Sequence, residues 1–327
     1  MTTAVTGGAG FIGSHCVRAL LARGERVFVI DDLNNYYAPE IKKENLTPFL
    51  GNPNFTFVQA DIRDRAAVGE FFAAAKPARL LHLAARAGVR PSIEDPALYY
   101  DVNVTGTSVV LEAARRAGVK SAVLASSSSV YGERSDNQPF RESDELGASS
   151  SPYGASKRLM EIIAAEWRER TGIPATCLRF FTVYGPAQRP DMAIHKFVRV
   201  MEKGEALTAY GNGESRRDYT YIADTVRGIL AALDNPRDFR VYNLGSGREK
   251  SVTLKDLIAL IEKTLGVRAR IDWQPFQPGD VSATLADISL ARAELGYDPT
   301  TTLEEGLEEF VKWYRETRLD LPREIQS

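Results

Sequence analysis

The first 181 residues alternate short apolar, β-rich runs with amphipathic helical stretches, and this alternation constrains the fold more than any other feature. Strand patterns lie near 3–6 (TAVT), 26–30 (RVFVI), 55–60 (FTFVQA), 79–83 (RLLHL), 120–125 (KSAVLA) and 175–181 (ATCLRFF). Helical patterns fall between them at 11–23, 64–75, 97–117 and 152–171. Strands that are apolar at almost every position have both faces covered, and helical connections make the sheet parallel. After residue 181 Gly and Pro become frequent and short strands mix with helices near 222–233, 253–265 and 302–316. The expected fold class is α/β: a Rossmann-type doubly wound parallel sheet with a smaller mixed α/β C-terminal lobe. The expected division gives 1–181 to the sheet domain, with 218–245 returning to it. Residues 182–217 and 246–327 form the second lobe.

A chain of 327 residues can bury two such cores. Its net charge of −2 gives no basic surface for nucleic acid or a membrane face. No apolar run approaches the ~20 residues of a membrane span. The N-terminus enters a strand at once, so no signal peptide is expected and a cytoplasmic location is. Cys16 and Cys177 stand far apart in apolar contexts, as buried free thiols do in a reducing compartment. His15, His82 and His195 have no metal-ligand spacing, and no metal is expected.

TGGAGFIGSH, residues 6–15, follows the first strand and opens a helix. Gly7 permits a tight turn, Gly10 lets backbone approach a pyrophosphate, and Gly13 lets the helix lie close to the strand. The helix N-terminus then offers free N–H groups to an anion. By itself this could be an ordinary tight strand-to-helix turn. The second strand, however, ends in Asp31, 18 residues beyond Gly13, where a carboxylate can take the ribose hydroxyls of a dinucleotide. DDLNNYY follows without an arginine for a 2′-phosphate, which favours NAD over NADP. Asp61 either reaches the adenine or is a turn aspartate.

SPYGASK, residues 151–157, opens the helix after the fifth strand. Tyr153 and Lys157 are four apart and share a helix face. An ammonium beside a phenol favours the phenolate, as does an oxidised nicotinamide, so a depressed tyrosine pKa and a base near neutral pH are expected.

Together with LAARAGVRPS, NVTGT, SSSSVYG, RFFTVYGP, RRDYTYI and QPGDV, these motifs make the chain resemble, over nearly its whole length, the extended short-chain dehydrogenase/reductase family in its nucleotide-sugar epimerase branch. The resemblance implies a tightly held NAD. It would be bound by Gly7, Gly10, Phe11, Ile12 and Gly13, by Asp31, Asn34 and Asn35, and by Asp61 and Ile62. Leu83, Ala84, Ala85 and Arg86, then Asn103, Tyr153, Lys157 and Phe180, complete that set. It also implies Tyr153 as base, Lys157 on the nicotinamide ribose and Ser127 as the hydroxyl on the sugar O4, with Ser128 beside it. Dehydratases of the branch place an acidic pair where this chain has Ser128 and Ser129. An elimination here would lack its general acid and base, whereas an epimerisation needs neither.

RFFTVYGPAQRPDMA, residues 179–193, is similar to the glucuronate-acting members of the branch. The resemblance makes Thr182 and Arg189 sugar contacts, with Arg189 available to a carboxylate through its two-pronged fork. It assigns Arg217 to the diphosphate, Asp280 to the uridine ribose and Gln277 nearby. Arg86 departs from the glutamine often found in that group, and Ala187-Gln188 from a tryptophan–glycine pair. The function implied is NAD-dependent 4-epimerisation of UDP-glucuronate to UDP-galacturonate through a 4-keto sugar, in a homodimer. Epimerisation of UDP-glucose or UDP-N-acetylglucosamine, and decarboxylation of UDP-glucuronate, are the alternatives.

Overall fold

The computed structural model describes residues 1–134, 136, 138–276 and 279–317. The chain opens with β1 (Thr2–Thr6), α1 (Phe11–Ala22), β2 (Arg26–Asp31), α2 (Pro39–Leu46), β3 (Phe55–Gln59), α3 (Arg65–Ala75) and β4 (Arg79–His82). It continues through α4 (Val89–Glu94), α5 (Pro96–Tyr100), α6 (Thr107–Arg116), β5 (Ser121–Ser127), α7 (Pro152–Thr171), β6 (Ala175–Phe180) and β7 (Thr182–Tyr184). Then come α8 (Ala193–Glu202), β8 (Ala206–Tyr210), β9 (Arg216–Arg217), β10 (Tyr219–Tyr221), α9 (Ile222–Asp234) and β11 (Phe239–Leu244). The last elements are β12 (Val252–Thr253), α10 (Leu254–Leu265), β13 (Arg270–Gln274), α11 (Ser289–Leu295) and α12 (Leu303–Thr317).

Seven parallel strands form the central sheet in the order β11-β6-β5-β4-β1-β2-β3. The six strands read from the sequence are all in it, and the sheet is of Rossmann type. The pleat sends successive side chains to opposite faces. Val5, Val27 and Val29 pack with Cys16, Val17, Leu20, Ile229 and Leu233 on one side. Ala4, Phe28 and Ile30 pack with Val68, Phe72, Val110, Met160 and Trp167 on the other. Both cysteines are buried and free. The chain leaves β1 toward β2 and β3, then crosses to β4 on the far side. The crevice outside the C-terminal ends of β1 and β4 is therefore a topological switch point, where open α/β sheets take ligands. A third apolar core joins Tyr184, Ile194, Phe197, Leu207, Leu257, Ile258, Leu307 and Phe310 from later segments.

The helix read over 97–117 is broken in three. Asp95 caps α5, accepting from the Leu98 N–H at 3.2 Å, and a π-helical turn spans Asp101–Gly106 before α6. The wide turn carries Asn103 toward the sheet. Such turns recur where a side chain must leave the regular helical ladder for a functional position. β5 runs on through Ser127, so the serine run begins inside the sheet.

Candidate active site

One cleft at the switch point gathers residues from β1, β2, β4, β5, α7 and the segment after β6. Gly7, Gly10, Phe11, Ile12 and Gly13 form its floor. The trio has no room for side chains: a Cβ at Gly7, where φ is +73°, would come within 2.6 Å of the Ala84 nitrogen, and one at Gly13 would run into the Gly7 carbonyl oxygen. Gly10 ends the turn and heads α1 with no side-chain cap, leaving the first-turn N–H groups without an intrahelical partner. Asp31 closes β2, buried. Its Oδ2 accepts from the Ala9 N–H at 3.1 Å and its Oδ1 from the Leu33 N–H at 3.0 Å. Burial raises its pKa against these hydrogen bonds and the nearby Lys42.

Every residue that the resemblance assigns to the cofactor lines this cleft except Asn103. Asn103 instead builds the wall. Its Oδ1 accepts from the Arg86 N–H at 2.7 Å, and its Nδ2 donates to the Arg86 carbonyl and the Ser156 hydroxyl, each at 2.9 Å. Asn34 is likewise engaged: it donates to Asp32 and accepts from Arg86 Nη1 at 2.9 Å. The Asp61 carboxylate is gripped by Arg63, with Nη2–Oδ2 at 2.6 Å. That hydrogen bonding holds Asp61 below the usual carboxylate range.

At the other end stand Tyr153, Lys157 and Ser127. Ser151 caps α7, accepting from the Gly154 N–H at 3.1 Å, and Pro152 fills its first turn. A Cβ at Gly154 would collide with the Ser129 carbonyl oxygen, so glycine lets the start of α7 lie against the serine run. The four serines divide their work. Ser126 Oγ turns away to Glu161 Oε1 at 2.5 Å. Ser127 Oγ accepts from the Ser129 N–H and donates to Ser129 Oγ, both at 3.1 Å. Lys157 Nζ donates to the Ala125 carbonyl at 2.6 Å.

The protein's own groups do not by themselves supply the expected depression of the tyrosine. Burial pushes Tyr153 above its ordinary value, and the Ser127 hydroxyl and the Arg189 charge offset this only in part. Lys157, itself pushed down to about 8 by burial, is tied to β5 rather than to the phenol. The protein's own field thus does not make the phenolate.

Arg189 lines the cleft, paired with Asp191 at 2.7 Å. Its guanidinium lies over the Tyr36 ring at 5.2 Å, and that of Arg86 lies over the same ring at 5.0 Å. Ser128 and Thr182 do not line the cleft, although Ser127, Phe181 and Val183 beside them do. Arg217 and Asp280 also stand outside it. Arg217 Nη1 donates to the Arg216 carbonyl at 2.8 Å, and Asp280 pairs with Arg90 at 2.6 Å. Gln277 lies outside the described residues. Sequence reasoning missed Tyr36, Lys42, Arg63, Asp191 and Met192; of these Tyr36, Asp191 and Met192 stood within motifs already singled out. His82 is structural, its ring nitrogens meeting Thr6 and Thr107 hydroxyls at 2.7 and 2.9 Å. Among the described residues no group of three His, Cys, Asp or Glu side chains is placed to hold a metal.

A Rossmann-type sheet with a glycine phosphate loop and a Tyr–Lys–Ser constellation defines a short-chain dehydrogenase/reductase. The chain belongs to the extended branch of that family that works on nucleotide sugars: residues 4–310 match the family described as GDP-mannose 4,6 dehydratase. It is 38% identical over 312 residues to a UDP-glucuronate 4-epimerase of Thermodesulfobacterium geofontis, covering 95% of each chain. A crystal structure of UDP-glucuronic acid 4-epimerase from Bacillus cereus with UDP-glucuronic acid and NAD superposes with a TM-score of 0.90 at 36% identity, covering 97% of this chain and 99% of that one. A UDP-glucose 4-epimerase of Thermotoga maritima with UDP-glucose superposes with a TM-score of 0.89 at 34% identity, over 97% and 99%.

Proposed function

We propose that this protein is an NAD-dependent UDP-sugar 4-epimerase that interconverts UDP-glucuronate and UDP-galacturonate. One observation carries the reading. The carboxylates lining the cleft, Asp31, Asp32 and Asp61, all lie at its dinucleotide end, whereas the Tyr153 end offers hydroxyls, a phenol and the Arg189 guanidinium. The first end suits a dinucleotide and the second a sugar acid with no elimination to follow.

The glycine floor and the buried Asp31 fit NAD, with Gly10, Phe11, Ile12 and Gly13 at the pyrophosphate. When bound, NAD supplies the acceptor and then the donor for the hydride at C4. Ser127 orients the O4 hydroxyl, and Tyr153 takes its proton and gives it back. Lys157 adds positive charge that favours the phenolate, and a bound oxidised nicotinamide would add to it. The 4-keto sugar turns to present its other face. Oxidation at C4 makes a glucuronate a β-keto acid prone to lose carbon dioxide. Ser128, Thr182 and Arg189 would hold the carboxylate near the carbonyl plane, where the breaking bond overlaps the π system poorly.

In the same reading the segments carrying Arg217, Gln277 and Asp280 belong to a second lobe, 182–217 and 246–327, that takes the nucleotide end. Asp280 would have to leave Arg90 to do so. Leu159 and Ile162 of α7 are 41% and 57% exposed, as is Tyr100 of the adjoining α5 at 38%, which supports a homodimer closed by a four-helix contact. No helix among the described residues is long and apolar enough to cross a membrane, and a cytoplasmic site agrees with two buried free thiols. The test is incubation of the purified protein with UDP-glucuronate, without added NAD, and separation of the products. UDP-galacturonate is expected. UDP-pentose would reassign the serine run to decarboxylation, and conversion of UDP-glucose alone would remove the acid specificity.

A further inference from the structure

α7 carries a third polar residue one turn beyond Lys157. Glu161 lies four residues on, so Tyr153, Lys157 and Glu161 share a face. Arg179 of β6 donates to it in a fork, Nε to Oε1 at 2.9 Å and Nη2 to Oε2 at 2.8 Å. The two side chains are only 5% and 8% exposed. Ser126 adds its hydroxyl to Oε1, and the Arg179 guanidinium lies over the Tyr131 ring at 4.7 Å. A buried ion pair costs desolvation on both partners and is weak as a stability device. Its place directly beneath the reacting residues calls for another explanation.

Lys157 Nζ is held by the Ala125 carbonyl of β5, and His82 of β4, Cys177 of β6 and Glu161 on its own helix are the titratable groups coupled to its charge. Arg179 of β6 joins the cluster through Glu161, and Tyr153 stands one turn back on α7. Burial keeps His82 neutral, with a pKa near 3, and keeps the Cys177 thiol protonated. Tyr153 is a phenol in the protein's own field. Glu161 is therefore the carboxylate that opposes the cost of burying the ammonium. Arg179 does not titrate, so any imbalance of charge in this cluster falls on Lys157.

We propose that Glu161 is a positioning residue for the reaction: fixed by Arg179 and Ser126, it is the buried counter-charge that keeps Lys157 an ammonium and, through Lys157, keeps Tyr153 able to exchange the O4 proton. The role in turnover rests on the epimerase reading; the charge coupling does not. The experiment follows the Lys157 side-chain nitrogen by NMR in holoenzyme labelled with 15N-lysine, assigned by its loss in Lys157→Met. The pH–rate profile with UDP-glucuronate is recorded alongside. In Glu161→Gln, the Lys157 titration and the basic limb of the rate should both move down by about one pH unit. Glu161→Asp keeps the charge and should leave both near their wild-type positions. Glu161→Gln combined with Arg179→Met replaces the pair by neutral groups of similar size, which buried pairs tolerate well. There the counter-charge and the fixed cation leave together, so the titration should return toward its wild-type position while thermal stability recovers, which separates charge imbalance from packing. If Glu161→Gln does not fold, Arg179→Met alone leaves Glu161 unopposed and should move the Lys157 titration up. A Lys157 titration at the wild-type pH in Glu161→Gln, or an unmoved one in Arg179→Met, overturns the proposal. A lowered titration in a protein whose wild type does not convert UDP-glucuronate keeps the coupling and removes the epimerase reading instead.

Discussion

Arg189 gives two arms of its guanidinium to Asp191, Nε to Oδ1 at 2.9 Å and Nη2 to Oδ2 at 2.7 Å. A carboxylate is thus already held in the fork that we assign to a sugar acid. The contact fixes Arg189 on the cleft wall, and a sugar carboxylate would have to displace Asp191 from the fork or take the remaining N–H groups.

Replacing Arg189 by alanine should raise KM for UDP-glucuronate by about ten- to a hundredfold, the equivalent of ~1.4–2.8 kcal/mol. KM for UDP-glucose should move much less, and the UDP-pentose fraction should change as the carboxylate loses its hold. Steady-state kinetics with product separation reads all three. An unchanged KM and product ratio would take Arg189 off the sugar.

Gly154 is expected to act through geometry alone. An alanine there must displace either the Ser129 carbonyl or the start of α7, which shifts Tyr153 relative to Ser127. Misplacement by a fraction of an ångström costs rate steeply. We expect kcat of Gly154→Ala to fall about tenfold or more with NAD content unchanged. Loss of NAD together with kcat would point to wider disruption of the cleft.

His82 should make the fold acid-sensitive. Burial, with the Lys157 charge adding to it, pushes its pKa from the ordinary 6.5 down to about 3. Below 6.5 the unfolded chain binds a proton that the folded protein refuses. Stability is therefore full above that pH and falls as acid is added, by about 3 kcal/mol at pH 4. Thermal melts of the wild type and His82→Gln across this range should converge toward acid. Parallel curves would mean that His82 is protonated without unfolding.

Six of the seven strands of the sheet were readable, the inner ones because both their faces are buried, which leaves an apolar residue at nearly every position; β11, a half-buried edge strand, was not read as one. β13 (RIDWQ), paired in parallel with β8, went unread because all but one of its residues are exposed, so no burial pattern marks it. α2 (PEIKKENL) is too polar to show an apolar stripe, yet it places Lys42 over the Tyr37 ring. In the cleft, the phosphate floor and Asp31 are set by spacing within one strand–turn–helix unit, and spacing is visible in a sequence. The stacking of Arg86 and Arg189 on Tyr36 joins three distant segments, and nothing local announces it. Asn103 shows the converse: its motif was legible, but its partners, the Arg86 backbone and Ser156, were not.

The four serines look interchangeable on the page, but the pleat makes them different parts. Ser126 and Ser127 face opposite sides of one sheet, the first toward a buried carboxylate and the second toward the reacting phenol. A one-residue insertion in the preceding loop, compensated after the run, would leave the four serines intact but put Ala125 where Ser126 stands and Ser126 where Ser127 stands, so that the buried carboxylate loses its hydroxyl. The repetition is therefore not redundancy. Each hydroxyl is addressed by its register, and a screen that scored only the number of serines would miss the loss.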